Sequence, residues 1–351
     1  MEMEDSEHVQ PKNQDEESNV EVVIKGDAGQ DSQESNKELP DPIHGDDISA
    51  IPMEIQEENK TQEPRKLILL VDLDGTLIHS TKHRYKGHLS EDIFEMTFDD
   101  KDRKKTTVKV RPYCREFLEA MSRLFEMHVV TLSSRGYALK IVEHLDPEGR
   151  FFGGRVISRD ELGYRRNKDT YFNVLFRESL PFTIILDNLS DVWDHMGNVV
   201  QLKTYKYFKK NGAEPRRNED DDNLEHIERV LTDVHSRFQS HFKAVGEYLD
   251  MRSAIAEYRR SVLKGVKVVV SAEAPWVTKP TALLTKNVVS AMLSRFGAEV
   301  QDTVTRETTV IVELWDKTTR VPTIPVVWSS WLYSVLEEWQ LPDFGKHLLS
   351  Y

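Results

Sequence analysis

Five consecutive apolar residues, Leu67 to Val71, read as a strand buried on both faces, the pattern of a parallel sheet enclosed by helices. Comparable short apolar runs recur at residues 127–132 (MHVVTL), 155–158 (RVIS), 182–187 (FTIILD) and 198–202 (NVVQL). Between them the period changes. Pro112 opens a helix that carries Phe117, Leu118, Met121, Leu124 and Phe125 on one side, with proline at a permitted first-turn position. A second helix is expected after residue 132, and a short helical stretch around residues 171–176. Strands alternating with helices at this spacing predict an open parallel α/β sheet. Residues 93–98 and 107–110 are β-rich and flank a charged turn at 99–104, which predicts a β-hairpin inserted after the first strand.

Further along, Leu224, Ile227, Leu231, Val234, Phe238, Phe242 and Val245 recur every three or four residues, with Gly246 as the stop. Fewer than four heptads are present, so this helix is expected to pack against a neighbouring domain and not to form a dimeric coiled coil. A second helix carries Leu249, Ile255, Tyr258 and Val262. From Gly265 the pattern returns to strands at 266–271, 309–312 and 323–327, with helices at 281–296 and along Trp328, Trp331, Leu332, Val335 and Trp339. That is about 85 residues, enough for a small α/β domain. The expected organisation is a tail (1–64), an α/β domain (65–215), a helical connector (216–263) and a C-terminal α/β domain (264–351).

Charge changes the reading of the tail. Residues 1–63 hold 19 acidic and 4 basic side chains and no Phe, Trp or Tyr, a net of −15 in a chain of net −13. Such a segment cannot bury enough apolar surface to offset chain entropy and is expected to be disordered, either as a solubilising tail or as a partner-binding acidic segment. Cys114 is the single cysteine, which excludes intrachain disulfides and a cysteine-based zinc cluster. Neither a membrane-length apolar run nor a secretory leader is present, so an intracellular soluble protein is expected.

The first strand ends on Asp72 and Asp74, one residue apart. A buried carboxylate without a partner costs several kcal/mol or neutralises itself, so something must favour this placement. Three strands end in polar residues: Asp72 with Asp74, Thr131, and Asp187 with Asn188. In open parallel sheets the ligand crevice lies beyond the carboxyl ends of the strands. If these strands are neighbours, two carboxylates and an amide oxygen meet in a hard oxygen site suited to Mg²⁺ and a phosphorylated substrate.

These residues carry a family resemblance. DLDGTLIHS, from Asp72 to Ser80, matches the DxDx(T/V) signature of haloacid-dehalogenase-type phosphotransferases. With RPYCREFL, VVTLSSRGYA, SRDE, a Lys-Asp pair and LDNxxDVW in that order, the chain resembles the FCP/SCP branch of RNA polymerase II C-terminal-domain phosphatases from about residue 66 to 202. The resemblance implies a Rossmann-like parallel sheet with a small β insertion, and a nuclear, Mg²⁺-dependent protein phosphatase working through an aspartyl-phosphate. Its substrate would be the phosphorylated C-terminal domain of the polymerase, and the general transcription factor TFIIF a partner. It implies Asp72 as nucleophile, Asp74 as general acid and then base, Thr131 and Lys168 on the phosphoryl group, and Asp72, Asp74, Asp187 and Asn188 around the metal. Thr76, Arg111 and Asp160 match positions that the family uses near the substrate. From the residues alone, Thr131 is equally a β-former at a strand end, Arg111 a surface charge, and Arg165 and Arg166 compete with Lys168. Larger members carry two aspartates and an arginine where this chain has Asp187, Asn188 and Leu189, which resembles the small members more closely.

The C-terminal region resembles a BRCT domain in KGVKVVVSAEAP, RFGAEV and Trp331, which implies further protein partners. The Ser/Thr-Gly pair that captures phosphate in some BRCT domains is Ser271-Ala272 here. The tryptophan stripe is expected in the core. Residues 203–217 hold six basic residues and one acidic, open to reading as a nuclear import signal, a contact for a phosphorylated substrate or a solvated edge. Neither membrane nor direct nucleic-acid binding is expected. Two alternatives stay beside the phosphatase reading, a catalytically weak scaffold for the phosphorylated tail and an enzyme for small metabolites. The short insertion argues against the latter, because it leaves the cleft open to a polypeptide.

Overall fold

The protein is seen in a computed structural model, which describes residues 66–97, 105–162, 168, 176–193, 197–209, 221–271, 285–314 and 323–349. The acidic tail, the turn at 99–104, Arg165, Arg166 and most of the stretch at 171–176 lie outside the described residues.

The apolar runs build a five-stranded parallel sheet. β1 (Leu67–Val71) lies at its centre, between β5 (Phe125–Val130) and β7 (Thr183–Asp187). β6 (Val156–Ile157) and β8 (Val199–Gln201) complete the order β6-β5-β1-β7-β8. Leu67, Leu69, Val71, Met127, Val129, Ile184 and Leu186 are fully buried, as continuous apolar strands between helices require. α1 (Cys114–Leu124) runs straight into β5 with no intervening loop, so β5 begins two residues earlier than its sequence pattern suggests. α2 (Arg135–Leu145) and the short α3 (Arg159–Leu162) follow β5 and β6.

The inserted hairpin is present as β3 (Ile93–Thr97) and β4 (Lys105–Val110), but a third strand joins it. β2 (Ile78–Thr81) pairs with β4, giving an antiparallel sheet in the order β2-β4-β3. Its four residues, IHST, offer too little periodicity to read in advance, and Ile78 anchors them in the core.

α4 (Asn223–Val245) buries Leu224, Ile227, Val230, Leu231, Val234 and Phe238 within the chain. Each such side chain removed from water contributes about 1.5–3 kcal/mol. The helix stops at Gly246, whose φ of 75° suits glycine at a helix end. α5 (Met251–Val262) is capped by Asp250, which accepts from the Arg252 N–H.

A second parallel sheet forms the expected small C-terminal α/β domain. It is ordered β10-β9-β11-β12, with β9 (Lys267–Ser271), β10 (Glu299–Gln301), β11 (Val310–Glu313) and β12 (Val326–Trp328). α6 (Lys286–Arg295) and α7 (Ser329–Glu338) pack on it. Trp331 and Trp339 are buried, as expected for core, while Trp328 is half-buried. β10 escaped the sequence pattern because a three-residue edge strand has almost no period to read. At Gly297, φ is +95° and a Cβ would sit 1.9 Å from the Arg260 carbonyl oxygen, so only glycine permits this approach to α5. Among the described residues no helix is long and apolar enough to cross a membrane.

Candidate active site

Strand order brings the polar strand ends together. Asp72 is the first residue beyond β1, Thr131 the first beyond β5, and Asp187 the last of β7, and these three strands are neighbours. Lys168, 96 positions after Asp72, completes the group. Its Nζ donates to Asp72 Oδ1 and Asp187 Oδ2, each at 2.7 Å, and to the Val130 carbonyl at 3.1 Å. All three ammonium hydrogens are thereby used. Asp187 also accepts from the Leu189 N–H at 2.8 Å and the Trp193 indole at 2.8 Å, and the Trp193 ring lies 5.5 Å from the ammonium.

One ammonium serves two buried carboxylates, and the balance is visible in their protonation. The Asp72 carboxyl is raised to about 7: burial is the largest cause, Lys168 works against it, and the neighbouring charge of Asp187 adds to it. Burial works against charge on Lys168, but Asp72 and Asp187 outweigh it and the ammonium is held above its ordinary range. Lys168 therefore stays charged, while Asp72 lacks a full counter-charge. That deficit is what a bound cation would supply.

Asp74 faces the opposite way, towards the first turn of α2. Tyr137 donates to its Oδ1 at 2.6 Å, Ser133 to its Oδ2 at 2.8 Å, and Ser80 to Oδ1 at 3.4 Å. Burial and the Asp74 charge both hold the Tyr137 phenol above its ordinary range, so it remains a neutral donor. Thr76 Oγ1 lies 3.2 Å from Asp72 Oδ2 and 3.1 Å from Asn188 Oδ1, and accepts from the Asn188 N–H at 3.2 Å. Gly75 permits this crowding: its φ is +85°, and a Cβ there would meet the Asn188 amide at 2.9 Å.

Thr131 is buried beside the group, and its Oγ1 accepts from the Ser133 N–H at 3.1 Å. Two residues expected near the substrate are engaged by protein partners. Arg111 is 1 % exposed, and its guanidinium donates to both oxygens of Asp221 at 3.0 and 3.1 Å, to the Thr76 carbonyl at 3.0 Å and to Asn223 at 3.3 Å. It braces the loop after β1 from behind. Asp160 is exposed, and its Oδ2 accepts from the Arg135 N–H at 2.8 Å, capping α2. As an acceptor it has nothing to offer a phosphate anion. Cys114 is buried and its thiol is pushed up to about 12, as suits an inert core residue.

The metal set also narrows. Among the described residues no three His, Cys, Asp or Glu side chains gather as a cation cage. Asp187 spends three acceptor positions on protein donors, and the Asp74 carboxylate is turned to Tyr137 and Ser133. Asp72 Oδ2 and Asn188 Oδ1, which converge at Thr76, are the hard oxygens that fit Mg²⁺, an ion that keeps several of its waters. Ser133, Tyr137 and Trp193 stand inside sequence blocks that match the family pattern, yet no local period marks them as partners of Asp74 and Asp187.

The family model for NLI interacting factor-like phosphatases matches residues 67–242. An RNA polymerase II C-terminal domain phosphatase of Caenorhabditis elegans is 34% identical over 309 residues, covering 82% of this chain and 46% of that protein. The human protein of the same description is 36% identical over 157 residues, covering 45% of this chain and 16% of its own length. The chain thus spans less than half the length of these two relatives. A fission yeast RNA polymerase II CTD phosphatase bound to beryllium fluoride has a similar fold, with a TM-score of 0.64 at 22% identity over 81% of this chain and 96% of that one.

Proposed function

The chain belongs to the NLI interacting factor-like phosphatase family, and on that premise we propose that it is a nuclear, Mg²⁺-dependent protein serine/threonine phosphatase acting on the phosphorylated C-terminal domain of RNA polymerase II. The descriptions of the worm and human relatives support that substrate. The observation that carries the reading is the buried Asp72–Lys168–Asp187 group at adjoining strand ends, with Asp74 beside it on a separate set of donors.

Asp72 is the nucleophile. Its carboxylate oxygen forms a bond to phosphorus as the bond to the serine oxygen breaks, and Asp74 gives its proton to that leaving oxygen. Water then attacks phosphorus, Asp74 takes the water's proton, and the bond between Asp72 and phosphorus breaks. Tyr137 and Ser133 keep the Asp74 carboxyl aimed through both steps. Lys168 offsets charge on the phosphoryl oxygens, and Asp187 with Trp193 fixes its position. Thr131 donates its hydroxyl to the transferred group. Asp72, Asn188 and the Asp74 backbone carbonyl would hold Mg²⁺, with Asp187 acting through Lys168. When bound, the ion neutralises charge on Asp72 and on the phosphoryl oxygens.

Phosphate release from a doubly phosphorylated polymerase-tail peptide, with Mg²⁺ or EDTA and with Asp72→Asn, tests this reading. Release that needs Mg²⁺ and vanishes in Asp72→Asn is expected. No release from the peptide or from an aryl phosphate would favour a binding scaffold instead.

A further inference from the structure

Among the described residues, two that are not glycine hold a left-handed backbone, Tyr113 and Trp339. Trp339 follows α7 at φ 54° and ψ 33°, a conformation that glycine takes without penalty at a helix end. A bulky residue persists in it only where its surroundings over-determine the backbone. For Trp339 they do. Its side chain is buried, and its ring lies 5.0 Å from the Arg259 guanidinium and 5.6 Å from the Phe296 ring. Its indole N–H donates to the Gln201 carbonyl at 2.8 Å, and Arg259 donates to the Val199 carbonyl at 3.4 Å. β8 is an edge strand whose Asn198 and Leu202 backbone groups meet β7, so alternation turns the Val199 and Gln201 carbonyls outward. Side chains from α5 and the end of α7 thus stand where a sixth strand would.

From β8 the same backbone runs on past the catalytic loops. The Lys203 N–H donates to Asn223 Oδ1 at 3.1 Å, and the Asn223 amide donates to the Glu337 carbonyl of α7 at 3.1 Å. Thr204 Oγ1 then accepts from the Asn188 amide at 3.2 Å, and the Tyr205 N–H donates to the Gly75 carbonyl at 2.7 Å. The end of α7 therefore grips residues 201 and 203, while residues 204 and 205 grip the loops that carry Asn188 and Thr76. The Thr204 contact decides which end of the Asn188 amide faces the site. With its nitrogen held there, Asn188 Oδ1 turns to Thr76 and Asp72. Asp72 and Lys168 are anchored elsewhere, Asp72 by its N–H to the Leu186 carbonyl at 3.0 Å and Lys168 by Asp72, Asp187 and Val130.

We propose that Trp339 is a positioning residue for the divalent cation: with Asn223 it fixes the 201–205 backbone, and through Thr204 it aims Asn188 Oδ1 at the ion. This rests on the phosphatase reading above and deepens it, because it makes the end of α7 part of the metal site and not only of a domain junction. Loss of the indole donor loosens the ion without displacing the nucleophile. More Mg²⁺ is then needed for half-maximal turnover, while kcat at saturating Mg²⁺ holds within about twofold.

The test measures metal binding without substrate. The full chain is titrated with Mn²⁺ and free Mn²⁺ is followed by electron paramagnetic resonance. Trp339→Phe, which keeps a ring and removes the donor, should raise the Kd about fivefold, and Thr204→Val about tenfold. Because both act through one path, the double variant should bind no more weakly than Thr204→Val alone. Trp331→Phe is the control: it removes an indole that donates to the Pro342 carbonyl at 3.4 Å within the C-terminal domain. It should lower the melting temperature and leave the Mn²⁺ affinity unchanged. Hydrogen exchange at the Tyr205 amide should quicken in Trp339→Phe and not in Trp331→Phe. Unchanged Mn²⁺ affinity in Trp339→Phe, additive loss in the double variant, or an equal loss in Trp331→Phe overturns the proposal. So does a wild-type chain that binds no Mn²⁺. Turnover is scored separately on an aryl phosphate. Its absence from a chain that binds Mn²⁺ would sink the phosphatase reading while the Kd ratios still decide the role of Trp339.

Discussion

The two parallel sheets among the described residues are buried and packed by helices, and each has a carboxylate at the end of an inner strand. In the C-terminal sheet that carboxylate is Glu313, 1 % exposed, whose neighbours in register are Ser271 and Trp328. In the five-stranded sheet, Asp72 and Asp187 close adjacent strands, and Lys168 bridges them at 2.7 Å on either side. The difference lies in what stands next to the acid. Two carboxylates sharing one ammonium leave charge uncompensated, and that deficit invites a cation and orders the surroundings of a nucleophile.

Removing the central acids should separate the two sheets most sharply. Asp72→Asn should lower phosphate release by about 10⁴-fold or more, whereas Glu313→Gln should leave turnover within about twofold and be felt only in the melting temperature. Lys168→Met should cost about 10³-fold in turnover. It should also remove about 3–5 kcal/mol of stability in urea titrations, because it strands two buried carboxylates. Removing the phenol from Asp74 with Tyr137→Phe should reduce kcat about tenfold with little change in KM, as seen in steady-state kinetics.

Protonation gives a smaller effect with a defined sign. The Asp72 carboxyl is raised in the folded protein, so between about pH 4 and 7 the folded chain binds more protons than the unfolded one. Its contribution therefore makes the metal-free protein less stable as pH rises across that window. Asp72→Asn should flatten the slope, measurable by melting in EDTA across that range. A slope identical in both proteins would contradict the shift. The smallest effect concerns the junction. Asn223 accepts from Arg111 at 3.3 Å and donates to the Glu337 carbonyl of α7 at 3.1 Å, and the Trp339 indole donates to the Gln201 carbonyl at 2.8 Å. Asn223→Ala should lose about 1–3 kcal/mol, with hydrogen exchange rising first around Trp339.

What the sequence revealed follows the range of each signal. β1, β7 and the pair Asp72 and Asp74 stand out because an apolar run that stops on carboxylates is a local contradiction. The amphipathic period of α4 is equally local. β2 and β10 were hidden because three or four residues at a sheet edge carry almost no period. Arg111 misled for a related reason: beside Pro112 it reads as exposed, and only Asp221, 110 positions later, explains its burial. Tyr137 and Ser133 reach Asp74 across 63 and 59 positions, so their role depends on tertiary contact.

The most direct test of the account is to catch the bond that Asp72 is expected to form. The wild-type chain, mixed with excess phosphopeptide and Mg²⁺ and quenched in acid during turnover, is reduced with borohydride, which converts an aspartyl-phosphate to homoserine. Peptide mass spectrometry should find homoserine at position 72 and nowhere else, and none when EDTA replaces Mg²⁺. Steady phosphate release with aspartate intact at position 72, or homoserine at position 74 or 187 instead, would contradict the central claim.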